Sequence, residues 1–123
     1  QAGLAGLHWR AGLSDAALSR LYHDAERLLH PATAEGFGLP VIEALGCGTP
    51  VAVATGSALD EITPAQSLRF DPREASSLRN ALLVAAAGRG GQETADALTK
   101  AAQRFGAGPY RQRVAQLLRE VLQ

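Results

Sequence analysis

The sequence contains no methionine, not even at position 1, where Gln stands. A chain of that kind is expected to be a piece of a longer polypeptide. Cysteine is nearly absent: Cys47 is alone, which excludes an internal disulfide and a thiolate metal cluster. Lys100 is the single lysine beside eleven arginines, and alanine is abundant, a composition suggesting a GC-rich bacterial gene. There is no excess of either charge, since 12 Lys+Arg balance 12 Asp+Glu. That balance excludes a strong field drawing the chain to nucleic acid or to an anionic membrane. No apolar run approaches the ~20 residues of a membrane span, and no stretch carries the pattern of a secretion signal. What is present is ordinary globular material, 46% hydrophobic and 20% charged over 123 residues. That is one domain at most, with enough chain for a single core.

The periodicity of the chain changes along its length. Leu7 to Arg10 is a short apolar stretch that reads as a strand, with Trp9 as a core residue near the turn Ala11-Gly12-Leu13. Ser14-Asp15 then precedes Ala17, Leu18, Leu21, Tyr22 and Ala25 at i, i+3, i+4 spacing, which predicts a capped amphipathic helix. Arg27 to His30 reads as a strand ended by Pro31. After a loop with Gly36 and Gly38, Pro40 is expected to open a helix, with Gly46 and Gly48 as its stop. Val51 to Ala54 is wholly apolar, as for a strand buried on both faces of a parallel sheet. Leu59 to Ile62 is expected as one helical turn and Leu68 to Phe70 as a last strand. Three helices follow, with Gly88 to Gly91 and Gly106 to Pro109 as breaks. The last helix carries Val114, Leu117, Leu118, Val121 and Leu122 as an apolar stripe. Strands alternating with helices imply an α/β fold, a Rossmann-like parallel sheet with flanking helices.

The chemistry concentrates in His30 to Val51. In an open parallel sheet, ligands bind where loops leave the C-terminal ends of strands. The loop after the second predicted strand carries Glu35, Gly36, Phe37 and Gly38, and it runs into a helix N-terminus at Leu39-Pro40. Glycines let a backbone approach a ligand closely. A helix N-terminus offers amides and a positive dipole end to a phosphate or diphosphate. Glu43 stands about one turn into the helix, with seven residues between it and Glu35. A carboxylate cannot hold a phosphate, but it accepts hydrogen bonds from the vicinal hydroxyls of a ribose. One loop and helix thus offer a sugar-facing carboxylate, an anion site and a polyol site, which points to a nucleotide-sugar. His30 reads as a strand-end packing residue and Cys47 as a small buried one.

Glu35-Gly36-Phe37-Gly38-Leu39-Pro40, Glu43-Ala44-Leu45 and Cys47-Gly48-Thr49-Pro50-Val51 resemble the signature of family-4 retaining glycosyltransferases of the GT-B fold. Leu13-Ser14-Asp15 with Leu18 and Leu21-Tyr22 resembles that family's V-S-D-E-E-L…L-Y helix. Residues 54–62 resemble its S-D-V-G-G-L-P-E-V segment, and Phe70-Asp71-Pro72 its V-D-P turn. The resemblance covers about residues 7 to 122, so the chain is expected to be part of a nucleotide-sugar binding domain, the C-terminal half of a GT-B donor domain. The resemblance implies that the parent enzyme moves a hexose from a donor of the GDP-mannose or UDP-glucose type to an acceptor hydroxyl, with retention. It implies Glu35 as the catalytic carboxylate beside the donor sugar. Gly36, Phe37, Gly38 and Leu39 would hold the sugar and diphosphate, Glu43 the ribose, and Ala11-Gly12-Leu13 the nucleobase. It implies no metal, and the sequence has no Asp-x-Asp pair; no cofactor is expected beyond the donor substrate.

The expected partners are that donor, an acceptor-binding N-terminal domain, and a saccharide or lipid-linked glycan acceptor, with no nucleic acid. The expected location is the cytoplasm, or the inner face of a bacterial membrane. The basic pair that neutralises the leaving diphosphate lies, in the family, upstream of what this chain covers, so the chain alone is expected to be inactive. Where the family has tandem glycine and proline, this sequence has Ser57-Ala58 and Asp60. A non-catalytic nucleotide-sugar binding module and a GT-B sugar-nucleotide epimerase stand as alternatives.

Overall fold

The structure, a computed structural model, describes residues 5–32, 38–88 and 94–122. The first regular element is helix α1, Asp15–Asp24. Ser14 starts it, its Oγ accepting from the Ala17 amide at 3.2 Å, and Asp15 in the first turn suits the helix dipole. Strand β1, Leu28–His30, leads through the loop to helix α2, Leu39–Gly46. Strand β2 is Val51–Ala54, followed by the single turn α3, Leu59–Ile62, and strand β3, Leu68–Phe70. Helices α4, Ala75–Ala86, α5, Ala95–Gln103, and α6, Ala107–Val121, complete the order. Thr94 caps α5, its Oγ1 accepting from the Ala97 amide at 3.2 Å.

The three strands form one parallel sheet in the order β1-β2-β3. Leu28 stands beside Val51 and His30 beside Val53; Ala52 stands beside Leu68 and Ala54 beside Phe70. The fold is therefore α/β, with a parallel sheet and flanking helices, as the alternation predicts. The central strand is fully buried along its length, and its side chains divide by strand parity. Val51 and Val53 enter the larger cluster, with Tyr22 of α1, Val41, Ala44 and Leu45 of α2, Leu59 and Ile62 of α3, and Leu98 and Ala102 of α5. Ala52 and Ala54 enter the smaller cluster, with Phe70 and Ala81 of α4. Each fully buried Leu or Val contributes about 1.5–3 kcal/mol, so the side bearing α1, α2 and α5 carries most of the stabilisation.

Two glycines permit close packing. Gly38 heads α2 with φ +74°, and a Cβ there would lie 2.5 Å from Leu59 Cδ2 and 2.8 Å from Ile62 Cδ1. Gly48 follows α2 with φ +73°, and its Cβ would lie 2.9 Å from the Ala95 Cβ. Only glycine accepts that backbone without strain and lets α3 and α5 come so near.

Three expectations are corrected. Leu7 to Arg10 forms no strand, because it has no ladder partner among the described residues. Trp9 is accordingly not in the core but 82% exposed. Gly108 and Pro109 do not break the chain; they lie in the first turn of α6, where proline costs little, and the break is at 104–106. The stripe of α6 exists, but Leu117, Leu118 and Val121 are exposed. Among the described residues no helix is long and apolar enough to cross a membrane.

Candidate functional site

Of the residues assigned to the site, Glu35, Gly36 and Phe37 lie outside the described residues; Gly38, Leu39 and Glu43 lie within them. The connection from β1 to α2 ends on Gly38. Its carbonyl accepts from the amides of Val41 at 3.0 Å and Ile42 at 3.3 Å, closing the first turn of α2. Pro40 has no N–H to offer, and the Val41 and Ile42 amides are already bonded to Gly38, so Leu39 carries the first-turn amide that helix geometry leaves without an intrahelical acceptor. The Leu39 side chain is exposed. Gly38 has a packing reason of its own, its contact with α3, in addition to any approach to a ligand.

Glu43 sits on the face of α2 turned toward α1, while Val41, Ala44 and Leu45 face the core. The residue is exposed, yet its carboxylate is held: the Tyr22 hydroxyl donates to Glu43 Oε2 at 3.1 Å. Tyr22 itself is 8% exposed. Its backbone is tied as well, because the buried Thr49 hydroxyl donates to the Tyr22 carbonyl. Burial pushes the Tyr22 phenol up to about 12, with further upward contributions from its bond to Glu43 and from the Glu43 charge. Tyr22 is thus a permanent donor at neutral pH and not a base.

Between α1 and α2 lies a cavity of 250 Å³ lined by Asp15, Leu18, Ser19, Tyr22, Glu43 and Cys47. That is below the ~300–1,000 Å³ of a drug-sized site, so it suits a small group or one part of a larger ligand. Its polar groups include two carboxylates and two hydroxyls, and among the described residues no cation lines it. Such a lining repels an anion and accepts from neutral hydroxyl donors. Cys47 lines this cavity and is only half-buried, its Sγ 3.8 Å from the Ser19 Oγ, which corrects the expectation of a buried thiol. His30 is half-buried at the end of β1, its Nδ1 accepting from the Ala32 amide at 3.4 Å.

Two arrangements escaped the sequence reading. Tyr22 counted there as one member of an apolar stripe and of the family-like Leu21-Tyr22 pair, with no partner for its hydroxyl; the signal available was that a buried tyrosine hydroxyl finds a partner. The second involves Asp60, where the resembled family has proline. Asp60 accepts from the Gly56 amide at 2.8 Å and from Arg69 Nε at 2.9 Å. The Arg69 guanidinium also donates to the carbonyls of Pro64, Ala65 and Ser67 and of Thr63 at 3.2 Å. This single side chain ties the segment from α3 to β3 together.

The chain matches the family model described as "Glycosyl transferases group 1" over residues 1–105. It belongs to that family. It is 36% identical over 64 residues to O-antigen chain mannosyltransferase B of Escherichia coli, covering 52% of this chain and 17% of that protein. It is 41% identical over 56 residues to an MMP alpha-(1->4)-mannosyltransferase of Mycolicibacterium hassiacum, covering 46% of this chain and 14% of that one. Among solved structures it resembles sucrose-phosphate synthase from Thermosynechococcus elongatus, with TM-score 0.70 and 26% identity, over 91% of this chain and 29% of that one. The chain spans less than a fifth of the length of these two curated relatives.

Proposed function

We propose that this chain is the nucleotide-sugar binding part, spanning residues 1–123, of a metal-independent glycosyltransferase that moves a hexose to an acceptor hydroxyl with retention. The observation that carries the reading is the family match over residues 1–105. The mannosyltransferase relatives favour a GDP-mannose type of donor over a UDP-glucose type. The acceptor-lined cavity beside Glu43 supports a ribose-binding role for that residue. In this reading Glu35 faces the donor sugar and stabilises the positive charge that develops on it in the transition state. Gly36 and Phe37 support the sugar, while Gly38 and Leu39 at the head of α2 meet the diphosphate. Glu43 accepts from the ribose hydroxyls. The partners are the nucleotide-sugar, an acceptor-binding domain and an acceptor glycan, at a cytoplasmic site or the inner membrane face. No further cofactor enters. Residues 1–123 alone are inactive, because the cations opposing the diphosphate lie elsewhere.

Transfer from GDP-mannose and from UDP-glucose by the whole protein tests this, with the anomeric configuration of the product read by NMR. Glu35→Ala is expected to lower kcat by about 10²-fold or more, the scale of a lost transition-state contact. Binding of the nucleotide-sugar without transfer would instead identify a non-catalytic module, and a change of configuration in the donor sugar without transfer an epimerase.

A further inference from the structure

We infer that Tyr22 is a positioning residue for ribose recognition, acting through Glu43. The inference rests on the reading of Glu43 as the ribose ligand and adds the group that makes it effective. Glu43 is exposed, and a free glutamate samples many rotamers, so an unsupported carboxylate would have to be ordered by the nucleotide itself. Tyr22 removes that requirement. Its ring is buried between α1 and α2, and its hydroxyl reaches the cavity edge to donate to Glu43 Oε2. One lone pair of Oε2 is thereby used, and Oε1 with the remaining lone pair of Oε2 is left for two adjacent hydroxyls. The phenol is fixed in turn. Thr49, fully buried just beyond the C-terminal end of α2, holds the Tyr22 carbonyl. Tyr22 is therefore tied to the middle of α2 through its hydroxyl and to the segment just after α2 through its carbonyl, and the carboxylate is held in place before any ligand arrives.

A structural tyrosine and a positioning tyrosine differ in what they discriminate. Equilibrium binding of GDP and UDP to the whole protein identifies the tighter ribonucleotide, and its 2′-deoxy counterpart gives the comparison. Tyr22→Phe is expected to weaken the ribonucleotide about five- to tenfold and the 2′-deoxynucleotide less than twofold. It is expected to raise KM for the nucleotide-sugar with kcat within about twofold. In a Glu43→Ala background the same substitution is expected to be silent. Equal weakening of both nucleotides, or no weakening of the ribonucleotide where Glu43→Ala weakens it, overturns the inference and leaves the ribose reading standing. Glu43→Ala that leaves the preference for ribose intact, or no binding of either ribonucleotide, overturns the ribose reading and the inference with it.

Discussion

The hydroxyl of Tyr22 on α1 reaches Glu43 on α2 and donates to its Oε2 at 3.1 Å. The bond joins a buried aromatic to an exposed carboxylate. It links a core residue to the cavity lining, so its perturbation is visible both in titration and in stability.

The Tyr22 phenol is raised from 10.0 to about 12, by burial first and then by Glu43. A group whose folded pKa is raised contributes stability that is fully present below its ordinary pKa and is lost as pH rises through the folded value. Spectrophotometric titration is therefore expected to show a late phenolate absent from Tyr22→Phe. Glu43→Ala is expected to move it downward while leaving it above 10, because desolvation persists. A phenol that titrates at its ordinary value would contradict the buried, hydrogen-bonded arrangement.

Gly38→Ala tests the contact between the head of α2 and α3. The substitution places a Cβ against Leu59 and Ile62 at a backbone φ of +74°. Left-handed strain and overpacking together are expected to cost about 2–4 kcal/mol, read as a lower denaturant midpoint. A loss below about 1 kcal/mol would mean that α3 moves aside freely.

Arg69→Ala removes an ion pair with Asp60 and four carbonyl contacts in one step. Both side chains are about a quarter to a third exposed, so solvent screens part of the charge term. A loss of about 1–3 kcal/mol is expected. Arg69→Lys is expected to recover little, since an ammonium lacks the planar fork that spans several carbonyls. Full rescue by lysine would show that charge alone suffices.

Asp71 lies at the turn after β3, where Arg73 donates to both its carboxylate oxygens at 3.0 and 2.9 Å. That pairing lowers the Asp71 pKa from 3.8 to about 2. A depressed carboxylate contributes stability above its ordinary pKa and loses it as pH falls toward 2. An NMR titration is expected to show the low value in the parent chain and a return toward 3.8 in Arg73→Ala. An unchanged value in that variant would assign the shift to the backbone amide of Arg73 alone.

The sequence by itself determined the alternation of strand and helix, because a short, wholly apolar run marks β2 and apolar residues recur every third or fourth position in α1 and α2. The Ser14 cap, the stop after α2 and the buried run at Val51 to Ala54 were all legible as local chemistry. Only the tertiary structure decided what local patterns cannot carry. Leu7 to Arg10 has apolar residues but no partner strand among the described residues, so it forms no strand and stays exposed, Trp9 with it. Gly38 reads as a turn glycine until α3 is seen to pack against it. Asp60 reads as a departure from a family pattern until Arg69, nine positions away, closes on it. Tyr22 reads as one apolar position in a stripe until α2 brings Glu43 within reach of its hydroxyl. Hydrophobic periodicity says which face of an element is buried; which polar atom meets which is settled only when the elements dock.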